Sequence, residues 1–245
     1  VRVAFGALIL LGLARPRRRF TAVQWQFVVL FGLDIAAMNF CFYQAINRIP
    51  LGIAVTIEFV GPLAVAIVGS RRMLDFLWAA MAGLGVILLS VSVGRVTVTG
   101  VTFALGAGLG WALYILLNQR VGRLVPGPDG LALAMGIGGL ALAPVGIASA
   151  GARLLSLRDL SRGLIVAVLS SAIPFSLEFA ALRRLSSRVF GILMSLEPAV
   201  GALAGFLLLG QALSRRDGVA IALVMAASVG ATVTSRRPTP APDVP

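Results

Sequence analysis

Histidine and lysine are absent from this chain, and cysteine occurs once. Without histidine there is no imidazole base and no His-ligated metal site. The single Cys41 excludes an intrachain disulfide and a thiolate metal cluster. Set within an apolar run, it reads as a small buried hydrophobe. No cofactor is expected. Charge is also scarce: 12% of the 245 residues are charged, about half the share in a soluble domain. With 59% hydrophobic residues, the composition is that of a polytopic membrane protein.

What charge there is has one dominant sign. All 21 basic residues are arginine, and against nine acids they leave a net charge of +12. In a soluble protein this would suggest nucleic acid. Here the arginines stand in short clusters between apolar runs, which is a topology signal. The expected surroundings are membrane lipid and a small-molecule substrate, with no nucleic acid; the sequence is silent on oligomeric state.

Apolar runs fall at 1–14, 21–44, 51–69, 76–94, 101–119, 130–150, 163–182, 189–209 and 217–235. The first gives about 21 Å of helix, short of the ~30 Å hydrocarbon core. It ends in RPRRR rather than a signal-cleavage site. We read it as the last part of a membrane helix whose beginning is missing. The connections are too short for a soluble domain. The Pro-rich tail 236–245 is expected to be disordered and cytoplasmic. Thirteen arginines fall in loops on the side of Arg15–Arg19 and eight on the other, so the C-terminus is expected inside.

An internal repeat appears at an offset of 136. Tyr43-Gln-Ala-Ile-Asn-Arg-Ile matches Phe179-Ala-Ala-Leu-Arg-Arg-Leu, and Pro62 falls on Pro198. The loop at Arg48 is outside and that at Arg183 inside, so the copies are inverted. The expected fold is all-α: two inverted five-helix bundles, with about nine transmembrane helices present of an expected ten. The expected units are 1–99, truncated at its N-terminus, and 100–235. Inverted repeats with interrupted helices suggest a transporter.

Four acids lie within apolar runs: Asp34, Glu58, Glu178 and Glu197. A charge there costs roughly 2.5–3.5 kcal/mol on insertion scales. Glu58 precedes Pro62 by four residues, so its carbonyl loses a helical donor. Glu197 adjoins Pro198, which frees the carbonyl of Met194. Pro174 stands one turn before Glu178. The bland reading is that each acid is protonated or paired and holds helices together. It competes evenly for Asp34 and gains at Glu178 from the nearby Arg183 and Arg184. Depth and repeat-matched prolines favour function at Glu58 and Glu197.

Asn39 and Tyr43, four residues apart, share a face of the Asp34 helix. Trp111 and Tyr114 lie in mid-run, as lining of an apolar cavity or as core. Gly106, Gly108, Gly110, Gly201 and Gly205 read as close-packing faces. Trp25 and Trp78 read as interface anchors. The candidate substrate-binding set is therefore Asn39, Tyr43, Glu58, Pro62, Trp111, Tyr114, Glu197 and Pro198. Candidate proton-coupling groups are Asp34, Glu58 and Glu178. In that scheme Glu58 and the freed oxygens of residues 58 and 194 hold an ammonium, while Asn39 or Tyr43 serves a carboxylate.

FYQAINRIPLGIAVTIEFVGPLAVAIVGSRR, at 42–72, resembles the EamA-type branch of the drug/metabolite transporter superfamily, and within it the threonine/homoserine exporters. GWALYILLNQRVG at 110–122 resembles the branch's sixth helix. The stretch 170–214 resembles its eighth and ninth. The resemblance implies ten helices in two inverted repeats, an inner-membrane location and export of small amino acids or related metabolites. The first helix and part of the second of that pattern are absent. Gln211 stands where family members usually carry Glu. The rival readings are a membrane-embedded enzyme acting on lipid-linked substrates and a non-transporting membrane subunit.

Overall fold

The structure, a computed structural model, describes residues 5–8, 11–12, 20–67, 73–90, 96–125, 129–151, 156, 161, 163–165, 168–169 and 195–234. Among the described residues there is no strand. The helices are α1 (Ala22–Ile46), α2 (Leu51–Glu58), α3 (Val60–Ile67) and α4 (Met73–Ser90). The second half supplies α5 (Val98–Leu124), α6 (Asp129–Ala150), α7 (Glu197–Leu209) and α8 (Arg215–Thr234). By length and composition, α1, α5, α6 and α8 are able to cross a membrane. The expected run 163–182, with Glu178, and the tail lie outside the described residues or nearly so.

Polar side chains at the helix starts set the boundaries. Thr21 and Gln24 form a reciprocal capping box on α1. Thr97 accepts from the Gly100 amide to cap α5. Ser214 and Asp217 cap α8 reciprocally. At the end of α7, Gly210 takes φ +62°, and the Gln211 amide closes back on the Gly205 carbonyl at 3.0 Å. That left-handed turn is one glycine adopts without a Cβ penalty.

The interruption foreseen at Pro62 is present. One apolar stretch is divided into α2 and α3 at Phe59. Pro62 has no amide hydrogen for the Glu58 carbonyl. Thr56 adds to the bend by donating back to the Gly52 carbonyl at 2.6 Å.

Helices of the first half pack mostly on helices of the second. The antiparallel pair α1–α5 is registered by Gln24 on Leu124, Phe31 on Tyr114, and Phe40 on Phe103. α4 and α8 are also antiparallel, with Trp78 on Thr234 and Gly85 on Val224. α2 lies antiparallel on α7, while α6 crosses α1 where Gly32 and Gly138 meet. Small residues make these approaches possible. Gly106 meets Cys41, Gly110 meets Met38, and Gly201 meets Val55, as the packing reading expected.

The bundle thus has two ends. Gln24, Leu124, Trp78 and Thr234 mark one, and Arg48, Thr97 and Gln211 mark the other. Toward the Gln211 end a single buried cluster joins α1, α2, α4, α5 and α8 through Ala45, Ile53, Leu89, Ala104 and Ala220. Toward the Gln24 end, the described residues form two clusters. One contains Phe31, Val121 and Ala134, and the other contains Leu63, Ala82 and Ala227. Trp78, at this same end, donates its indole N–H to Thr234 Oγ1 at 3.1 Å, and its ring covers Gly230.

Candidate functional site

Glu58 is the last residue of α2 and is 9% exposed. Its backbone carbonyl faces α5: a Cβ built on Gly108 would lie 2.8 Å from that oxygen. The oxygen expected to serve a substrate ammonium is thus directed toward α5. Proline removes its helical donor, and the Gly108 Cα fills the space.

Two helix registers bring further polar residues to the same depth. On α1, Met38 meets Gly110 and Cys41 meets Gly106, so Asn39 falls level with Gly108. On α7, Gly205 approaches Leu51 and Gly201 approaches Val55. One turn further along this antiparallel pair, Glu197 and Pro198 fall level with Glu58. Asn39, Glu58 and Glu197 therefore share one level, reached from α1, α2 and α7. It lies about 10 Å inward from the Gln211 end of α2, at 1.5 Å per residue.

The remaining candidates are spread around that level. Asn39 is 6% exposed, and its amide donates to the Ile35 carbonyl of its own helix at 2.8 Å. Tyr43, one turn nearer the Gln211 end, is 38% exposed beside Phe42. Trp111 stands edge-on to Phe59 at 5.7 Å, beside the helix break. Tyr114 packs on Phe31 at 5.1 Å against a core cluster, farther toward the Gln24 end. Asp34 lies between the Tyr114 and Gly110 levels, and its Oδ2 is buried with no hydrogen-bond partner. Pro198 is fully buried at the start of α7. Met194, Pro174 and Glu178 lie outside the described residues.

Two polar features escaped the sequence reading. Ser195 and Ser228 are buried with their hydroxyls 2.7 Å apart, joining the approach to α7 with α8. Nothing marks one serine among many as the partner of another 33 positions on. The second is a shallow surface depression of about 510 Å³, open to solvent, at the Gln211 end and lined by Asn47, Arg48, Pro50, Thr97 and Gln211. None of the predicted substrate residues lines it. No group of His, Cys, Asp and Glu suited to a metal occurs among the described residues.

A helical bundle of apolar spans, with an interrupted helix and two glutamates level with its break, fits a multi-pass membrane transporter. The EamA-like transporter family matches residues 98–233. The threonine/homoserine exporter RhtA of Escherichia coli (strain K12) is 44% identical over 241 residues, covering 97% of this chain and 81% of that protein. RhtA of Salmonella typhimurium shows the same identity and coverage. Protein PecM of Dickeya dadantii is 25% identical over 219 residues, 84% of this chain and 72% of its own length. No solved structure matches. The chain belongs to the EamA-like transporter family. It is a multi-pass inner-membrane exporter and not an enzyme, which sets aside the lipid-linked-substrate reading.

Proposed function

We propose that this protein exports a small zwitterionic amino acid of the threonine or homoserine kind by proton-coupled alternating access. The observation that carries this is the 44% identity to threonine/homoserine exporters along nearly the whole chain. The common level of Asn39, Glu58 and Glu197 gives the reading a chemistry. Carboxylates suit the substrate ammonium, and an amide suits its carboxylate or hydroxyl. Trp111 and Phe59 supply an apolar wall beside them. Pro62 and Pro198 hold the helix ends that carry the two glutamates. Asp34, Glu58 and Glu178 are the candidates for taking up a proton when the site is empty.

The architecture belongs to the same proposal. Units 1–99 and 100–235 form inverted repeats, with the C-terminus in the cytoplasm and α2–α3 and α7 in equivalent roles. The antiparallel pairing of α2 with α7 and of α4 with α8 supports this, because elements related by a two-fold axis meet at it. The family match to 98–233 supports the boundary. The test is efflux of labelled threonine and homoserine from loaded proteoliposomes, with and without a pH gradient. Gradient-stimulated efflux is expected for the native chain and its loss for Glu58→Gln. Efflux equal to protein-free liposomes would refute the reading.

A further inference from the structure

Gln211 links the two halves of the chain at one end of the bundle. Its side-chain Oε1 accepts the Leu51 backbone N–H at 2.9 Å, across 160 residues of sequence. Leu51 opens α2 and follows Pro50, which provides no side-chain cap. The amide is one of the orphan donors of a helix start, so an acceptor from another element has high value there. Gln211 is itself held by the turn that ends α7, where Gly210 is left-handed and the Gln211 amide bonds to Gly205. A Cβ on Gly205 would lie 2.7 Å from the same Oε1, so the side chain lies over α7 as it reaches α2.

We infer that Gln211 is a positioning residue for transport, and that its bond to Leu51 latches the Gln211 end of the bundle shut. Three observations converge. The bond joins the outer ends of α2 and α7, the two helices whose other ends carry Glu58 and Glu197. Among the described residues the buried core forms one cluster at this end and two at the other. The open surface depression bordered by Arg48, Pro50, Thr97 and Gln211 lies beside the latch. Releasing this hydrogen bond would shift the balance toward parting of the start of α2 from α7, opening a path from that depression toward Glu58. The inference rests on the exporter reading for its purpose, though not for its geometry.

The test uses full-length protein in proteoliposomes, in a Cys41→Ala background. One reporter is Ala54→Cys, fully buried in the cluster at the Gln211 end. The other is Ala134→Cys, fully buried toward the Gln24 end. The probe is a water-soluble maleimide. Gln211→Leu removes the acceptor and is expected to speed labelling at position 54 by about tenfold, a shift of ~1.4 kcal/mol in the opening equilibrium, with labelling at 134 unchanged. Gln211→Glu keeps an acceptor oxygen and is expected to restore slow labelling at 54. Unaltered labelling at 54 in Gln211→Leu overturns the latch, as does an equal rise at both positions, which would mean general loosening. If the native chain exports no amino acid while the labelling pattern holds, the latch stands and the substrate reading falls. If the native chain exports and the labelling pattern fails, the latch alone falls.

Discussion

The backbone carbonyl of Glu58 is seated against the Cα of Gly108, and the Gly108 carbonyl in turn is seated against the Cα of Gly61. The interrupted helix and α5 therefore meet backbone to backbone at the level of the candidate site. A side chain on Gly108 or Gly61 would strike carbonyl groups rather than movable side-chain ends. Gly108→Ala and Gly61→Ala are expected to destabilise the protein by about 1–3 kcal/mol each, the usual range for overpacking, with Gly61→Ala the worse. Gly83 on α4 has open space beside it. Gly83→Ala should be neutral or stabilising, by up to ~1 kcal/mol. Thermal unfolding in detergent followed by tryptophan fluorescence separates the three.

Pro62 carries the next prediction. Alanine at this position restores an amide hydrogen four residues after Glu58 and lets α2 and α3 join into one straighter helix. The Glu58 carbonyl would then turn from Gly108 into its own helix. Pro62→Ala should yield folded, membrane-inserted protein with efflux reduced about tenfold, equivalent to ~1.4 kcal/mol at the rate-limiting step. Native efflux from Pro62→Ala would mean that the break at Phe59 is incidental.

Much of this arrangement was legible before any coordinates. Apolar run length gave the four helices able to cross a membrane, and Pro62 gave the break in the run 51–69. Gly106 and Gly110, four residues apart, gave the face of α5 that approaches α1, and Gly108, on another side of α5, meets α2 and α3. Rotation of each helix about its axis was not legible. A soluble helix declares its buried face by an apolar stripe, but a span that is apolar all round does not. Hence the Glu58 carbonyl was assigned to a substrate while it faces Gly108. For the same reason the bond from the Trp78 indole to Thr234 is not legible in the sequence. Gln211 drew notice only as a departure from a family pattern, because its partner is a backbone amide 160 residues away.

Ser195 and Ser228 allow a direct measure of one polar contact within the bundle. Both are buried, and their hydroxyls are 2.7 Å apart. Each single change to alanine should cost about 1 kcal/mol, in part because it alters the partner's hydrogen bonding. The double change should cost less than the two singles added. A coupling of ~0.6–1.7 kcal/mol is expected from comparable pairs in membrane helices. Strict additivity in a double-mutant cycle of unfolding would show that the pair contributes no coupling.

Asp34 separates stability from function. Its Oδ2 is buried and has no hydrogen-bond partner, an arrangement that costs about 1–3 kcal/mol for a polar group. Asp34→Leu removes that cost and is expected to raise the unfolding temperature. Under the proposed function Asp34 is a candidate for moving the coupling proton. Asp34→Asn keeps the shape and one acceptor oxygen but cannot carry a proton in and out. If Asp34 moves the coupling proton, Asp34→Asn retains threonine exchange between the two sides of a vesicle while losing the stimulation of net efflux by a pH gradient. Full retention of that stimulation would assign Asp34 to helix packing and leave Glu58 and Glu178 as the coupling candidates.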